Sequence, residues 1–169
     1  MKILAISGSL SSASSNGALL RALRAAASPP DSVTLFEALD DIPHFSPDRE
    51  REHAPAAVAR LRDGIGAADA VLIATPEYAG GMPGSLKNAL DWLVGSGELY
   101  ERPVVVVSAA PSEARGGNAR SWVEQTVGMQ GAHVLDSFTV AVAPGEPPDA
   151  LGSKAAAVLE RTRHTLLTS

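Results

Sequence analysis

At 169 residues the chain has the length of one domain with a real core, and 45% hydrophobic with 20% charged residues is an ordinary globular balance that excludes wholesale disorder. A net charge of −5 with no basic tract argues against a nucleic-acid partner, and no apolar run is long enough to suggest a membrane partner. The absence of cysteine excludes disulfides, thiol catalysis and iron–sulfur ligation. The N-terminus enters a strand with no signal-like stretch before it, which makes the cytoplasm the expected compartment.

The first expected strand, Lys2–Ser7, runs into Gly8-Ser9-Leu10-Ser11-Ser12-Ala13-Ser14-Ser15-Asn16-Gly17, and a helix follows with Leu19, Leu20 and Leu23 on one side. A serine-rich turn at a helix N-terminus offers backbone N–H groups, hydroxyls and the positive end of a helix dipole, which together suit a phosphate. The competing reading is a helix capped by Ser15 or Asn16, with the remaining serines solvated. Neither a nucleotide-triphosphate loop nor a Gly-x-Gly-x-x-Gly fingerprint is present.

A second strand is expected at Val33–Phe36, and the polar, proline-containing segment 40–54 reads as an exposed loop. A helix over Pro55–Ala67 and a strand over Ala70–Thr75 follow. Pro76 ends that strand, Gly80 and Gly81 let the chain bend sharply, and Pro83 suits a helix start before Leu86, Leu90 and Leu93. Glu77 and Tyr78 thereby stand at the carboxyl end of a strand, where open parallel sheets bind ligands. Lys87, placed unfavourably in a helix's first turn, finds an anion in Asp91, in Glu77 or in a ligand.

Val104–Ala109 forms the fourth strand and leads through Ala110-Pro111-Ser112 to Gly116-Gly117-Asn118, a loop open to a planar ligand or a plain turn capped by Asn118. A helix near Ala119–Gln130, a strand over Val134–Val142 and a helix over Ala150–Leu167 complete the chain. Strands some thirty to forty residues apart match βαβ units, so one α/β domain spanning residues 1–169 with a parallel sheet is expected. His44, His53, His133 and His164 have no metal-ligand spacing, and no Gly-x-Ser-x-Gly elbow is present. Three loops on one sheet edge instead outline an elongated pocket.

Those loops carry a resemblance. Pro76-Glu77-Tyr78, Pro83-Gly84, Leu86-Lys87-Asn88-Ala89 and Asp91-Trp92, together with Gly8-Ser9-Leu10, Ser14, Asn16 and Gly116-Gly117, resemble the NAD(P)H-dependent FMN reductases, the group that includes bacterial quinone and chromate reductases. The resemblance implies a flavodoxin-like three-layer sandwich with a five-stranded parallel sheet in the order 2-1-3-4-5. It also implies FMN as cofactor, NADPH or NADH as co-substrate, and a quinone or other small electron acceptor. By matching position, the phosphate falls to Ser9, Leu10, Ser14 and Asn16 in the loop that also holds Ser11 and Ser15. Pro76, Glu77, Tyr78 and the backbone of Ala79 lie along the flavin, with Gly116 and Gly117 at its ring. No side chain is assigned as a general acid or base. A homodimer or homotetramer is implied, with Tyr78, Met82 and Trp92 as contributors.

The sequence departs from the family's pattern in three places. Ser11 stands where arginine is frequent, Ala79 where asparagine usually follows the tyrosine, and Ala110-Pro111-Ser112 where small polar residues are common. Two other readings compete: a flavodoxin-like electron carrier, disfavoured by the modest charge and 4% aromatic content, and a flavin-free α/β scaffold.

Overall fold

Alternation of short apolar runs with amphipathic segments produces a parallel sheet wrapped by helices. A computed structural model describes residues 1–143 and 145–169. Its strands are β1 (Lys2–Ser7), β2 (Ser32–Phe36), β3 (Ala70–Ala74), β4 (Pro103–Ala110) and β5 (His133–Ala141). All pair in parallel, in the order β2-β1-β3-β4-β5. The helices are α1 (Ser15–Ala26), α2 (Pro47–Glu52), α3 (Ala56–Ala67), α4 (Gly84–Asp91), α5 (Gly117–Gly128) and α6 (Pro148–Thr168). This is the flavodoxin-like order expected from the resemblance.

Strand periodicity sorts the core into two layers. Ile3, Ala5, Leu72, Ala74, Val105 and Val107 pack beneath α1 and α6, while Leu4, Ile6, Val71, Ile73, Val104 and Val106 pack beneath α3, α4 and α5. Strands covered on both faces need no polar alternation, which is why the central ones read as continuous apolar runs.

Segment 40–54 is not the plain exposed loop expected. Leu39–Asp41 forms a 3₁₀ turn, and Leu39 and Ile42 are buried. α2 follows, with Ser46 accepting from the Arg49 N–H at 3.2 Å, a proline at the helix start, and Asp48 and Glu50 in the first turn. Those are the signals of a helix start, but α2 buries no residue, so hydrophobic periodicity had nothing to register. α1 also begins earlier than its leucines suggest. Its N-cap is Ser14, whose hydroxyl accepts from the Gly17 N–H at 3.4 Å, and neither Ser15 nor Asn16 caps it.

Asp31, just before β2, ties the sheet's edge to α6. Its carboxylate is 5% exposed, accepts from the Met1 ammonium at 3.0 Å and pairs with Arg163. The Arg163 hydrogen bond, followed by that of the ammonium, holds its pKa below the usual 3.8. A folded pKa below the unfolded one means the pairing stabilises fully above the unfolded value and is lost as pH falls through the folded one. Asp31→Asn is therefore expected to lower the melting temperature at pH 7, with the gap from wild type closing in a thermal series taken below pH 3.8.

Candidate functional site at the carboxyl edge of the sheet

The β1–α1 connection covers one face of the sheet and the β2–β3 connection the other, so the chain parts between β1 and β3. Such a switch point opens a crevice outside the strand ends. The three loops singled out from the sequence meet there. Gly8 donates its N–H to the Ala74 carbonyl at 2.8 Å, and Thr75 to that of Val107 at 2.9 Å, so the sheet ladder runs into the loop bases.

The first loop, residues 8–14, is folded by its own serines. Ser9 donates its N–H to the Ser7 hydroxyl, Ser11 donates to the Ser9 hydroxyl, each at 3.3 Å, and Ser14 donates to the Ser11 carbonyl at 3.1 Å. The Ser9 and Tyr78 hydroxyls lie 3.1 Å apart, linking this loop to the second. Asn16 behaves differently from its neighbours. Its side chain is buried, accepts from the Ala109 N–H at 2.8 Å and donates to the Ala109 carbonyl at 3.4 Å. It fastens α1 to β4 and leaves only its backbone N–H for a ligand.

The second loop is a two-residue hairpin. Tyr78 and Gly81 exchange N–H···O bonds of 3.0 Å, and Ala79 (φ 49°) and Gly80 (φ 79°) both have positive φ. Positive φ at both central residues marks a type I′ turn, a conformation that asparagine or glycine adopts more easily than alanine. The turn holds Tyr78 outward, 53% exposed. Trp122 of α5 packs against Gly81, where an added Cβ would lie 2.8 Å from its ring, and is 54% exposed.

Glu77 has an unexpected structural task. Its Oε2 accepts from the backbone N–H of Asn118 and Ala119, at 3.1 and 3.3 Å. These are orphan donors of the first turn of α5, so Glu77 rather than Asn118 caps that helix, from a loop forty residues away in sequence. Glu77→Ala is expected to cost about 1 kcal/mol, as loss of a helix cap does, with a matching fall in the urea midpoint.

Third, β4 ends against the double-glycine loop. The Ser108 hydroxyl donates to the Thr75 carbonyl at 2.8 Å and lies 3.4 Å from that of Gly116, while Thr139 donates to the Arg115 carbonyl at 2.8 Å. Gly116 is the left-handed residue before α5 (φ 83°). Behind it Arg120 donates to Ser137 and Thr139; burial lowers its pKa, partly offset by Glu124 and Glu77. A cleft of about 240 Å³ opens between Thr75–Glu77, Ser108–Pro111 and Arg115–Gly116.

Two helix residues resolve plainly. Lys87 pairs with Asp91 at 2.5 Å, one of the alternatives open from the sequence. Trp92 is fully buried, donates Nε1–H to the Pro43 carbonyl at 2.8 Å and meets Phe45 edge-on, so it contributes to no subunit interface. Sequence reasoning missed Ser108 and Trp122. A serine in an apolar strand and a tryptophan on a helix carry no local sign of the loops they touch.

Fold and loops together define a doubly wound α/β protein whose three loops meet at its switch point. A family model described as NADPH-dependent FMN reductase matches residues 1–146. An NAD(P)H-dependent FMN reductase of Pseudomonas aeruginosa is 34% identical over 148 residues, 86% of this chain and 80% of that protein. A quinone reductase of Escherichia coli K12 is 32% identical over 139 residues, 80% of this chain and 74% of that one. Among solved structures, FerB of Paracoccus denitrificans, a flavoenzyme NAD(P)H:(acceptor) oxidoreductase, shares the fold with a TM-score of 0.79 at 24% identity, covering 99% of this chain and 97% of that one.

The chain belongs to the NADPH-dependent FMN reductase family. It is an oxidoreductase with FMN as cofactor and NAD(P)H as reductant. The residues present suit that cofactor. The N–H groups of Ser15 and Asn16 open α1 and have no acceptor within the helix, and the loop before them carries Ser9, Ser11 and Ser12 along a groove. At the other end a Cβ on Gly116 would stand 2.6 Å from that of Ser108, so the loop base is closed to side chains while its cleft stays open.

Proposed function

We propose that the protein passes reducing equivalents from NAD(P)H to a quinone or a similar small electrophile, from a flavin site spanning the whole sheet edge. Ser9, Leu10, Ser11, Ser14, Ser15 and the backbone of Asn16 hold the phosphate. Pro76, Glu77, Tyr78 and Ala79 lie along the flavin, and Gly116 and Gly117 face its ring. The observation that carries this reading is the mutual bonding of the three loops, Ser9 to Tyr78, Glu77 to α5 and Ser108 to Thr75, which ties them to one another along the sheet edge before any ligand arrives. Such preorganisation reduces the ordering cost of binding.

When bound, the flavin supplies hydride acceptance and electron release; the protein supplies its orientation and access to its face. Glu77 serves as helix cap and loop tie, and no proton-transfer group is required of the chain. A homodimer or homotetramer is proposed, supported by the half-exposed Tyr78 and Trp122, as is cytoplasmic residence; among the described residues no helix is long and apolar enough to cross a membrane. The test is an anaerobic absorption titration of the FMN-loaded protein. NADPH or NADH is expected to bleach the flavin band, and benzoquinone to restore it. A band that persists through excess NADPH and NADH would defeat the reductase reading.

A further inference from the structure

We propose that Arg21, on α1 and outside the loop itself, is the cation that recognises the FMN phosphate; the assignment rests on the flavin reading above. Side chains on a helix lean toward its N-terminus. Arg21 accordingly folds back one turn over Gly17, where a Cβ would lie 3.2 Å from its Nη1. Its Nη2 donates to the Ser12 carbonyl at 3.5 Å, a long bond that holds the guanidinium loosely at the loop. Among the described residues it has no carboxylate partner.

The charges around it explain why this one cation matters. A groove of about 300 Å³ runs along the loop, lined by Ser9, Leu10, Ser11 and Ser12, and Arg21 is the one basic residue on its walls. Glu37 and Asp40 lie on the opposite wall and repel an incoming dianion. Arg24 stands 3.8 Å from Glu37 and offsets part of that repulsion, so the two arginines of α1 have separate tasks. The serines and backbone N–H groups are neutral donors. A phosphate monoester carries close to two negative charges at neutral pH, and a guanidinium adds charge-assisted, fork-shaped bonding that hydroxyls cannot. Ser11 itself offers a hydroxyl and no charge.

The test compares equilibrium binding of FMN with that of riboflavin, which has the same ring and ribityl chain without the phosphate, by quenching of flavin fluorescence. Arg21→Gln is expected to weaken FMN about tenfold or more, as loss of one charge-assisted contact does, while riboflavin changes less than about twofold. Arg21→Lys is expected to fall between, and added salt to weaken FMN binding more steeply in wild type than in Arg21→Gln. Arg21 is exposed, so its variants should melt with wild type. Equal loss for FMN and riboflavin would reveal a merely structural role and overturn the assignment, as would unchanged FMN affinity, or an effect confined to NADPH. Failure of the wild type to bind FMN at all would instead defeat the flavin reading, and this assignment with it.

Discussion

Gly116→Ala is expected to lose FMN while Gly117→Ala keeps the fold intact, although the two glycines are adjacent. At Gly116 an alanine must hold φ near 83°, a left-handed conformation that costs an L-residue about 1–2 kcal/mol. Its Cβ would also lie 2.6 Å from the Ser108 Cβ and 2.7 Å from the Ser108 hydroxyl oxygen. Both contacts are far inside van der Waals distance, and relieving such overlap in a packed site costs about another 1–3 kcal/mol. Ser108 can yield only by releasing its bond to Thr75, which opens the cleft between the second and third loops. A lower urea midpoint, together with FMN affinity reduced at least about tenfold, is the expected result.

Gly117 contrasts with this. It is the first residue of α5, and an added Cβ meets nothing within 4 Å. Alanine there is tolerated by the helix and gains a few tenths of a kcal/mol to about 1 kcal/mol. Stability therefore isolates the ligand: a Gly117→Ala protein that melts no lower than wild type yet binds FMN more weakly places the flavin ring against that residue. Unchanged binding would move the ring away from it.

Trp92→Ala is the second large effect. The indole is fully buried in the layer beneath α3, α4 and α5, and truncations of this size typically cost about 3–5 kcal/mol. That is a large fraction of the about 5–15 kcal/mol that stabilises an ordinary domain. The loss reaches beyond packing, because Trp92 and Asn88 together hold the 42–45 segment. Nε1–H of Trp92 and Nδ2 of Asn88 both donate to the Pro43 carbonyl, at 2.8 and 3.0 Å, and Asn88 Oδ1 accepts from the Phe45 N–H at 2.8 Å. Limited proteolysis is expected to cut 42–53 in Trp92→Ala well before the wild type. Trp92→Phe retains most of the packing and loses the indole bond, so its deficit should be nearer about 1 kcal/mol.

The order of strands and helices was readable because each element announces itself locally. Buried strands are short apolar runs, crossover helices repeat their leucines every three or four residues, and proline and glycine punctuate the joins. Parallel connectivity then sends every loop that leaves a strand to one edge, so the convergence of Ser9–Asn16, Pro76–Ala79 and Gly116–Gly117 followed from pattern alone. Where no residue is buried, as in α2, the periodic signal vanishes and only capping chemistry remains, here Ser46 and Pro47.

Tertiary structure alone decided what each of those side chains does. Asn16 and Glu77 look like ligand donors in a list of loop residues, yet one is spent on the Ala109 backbone and the other on the first turn of α5. Trp92 looks like an interface residue until its nitrogen is found on Pro43. Arg21 looks like an ordinary helix-surface cation until its guanidinium is seen turned back onto Ser12. Local sequence encodes backbone preference and burial, which depend on near neighbours. The partner of a hydrogen bond or charge depends on which segments the fold brings within about 3 Å of one another. For these residues the decisive neighbours come from other elements or an earlier turn, so their tasks became visible only in the folded chain.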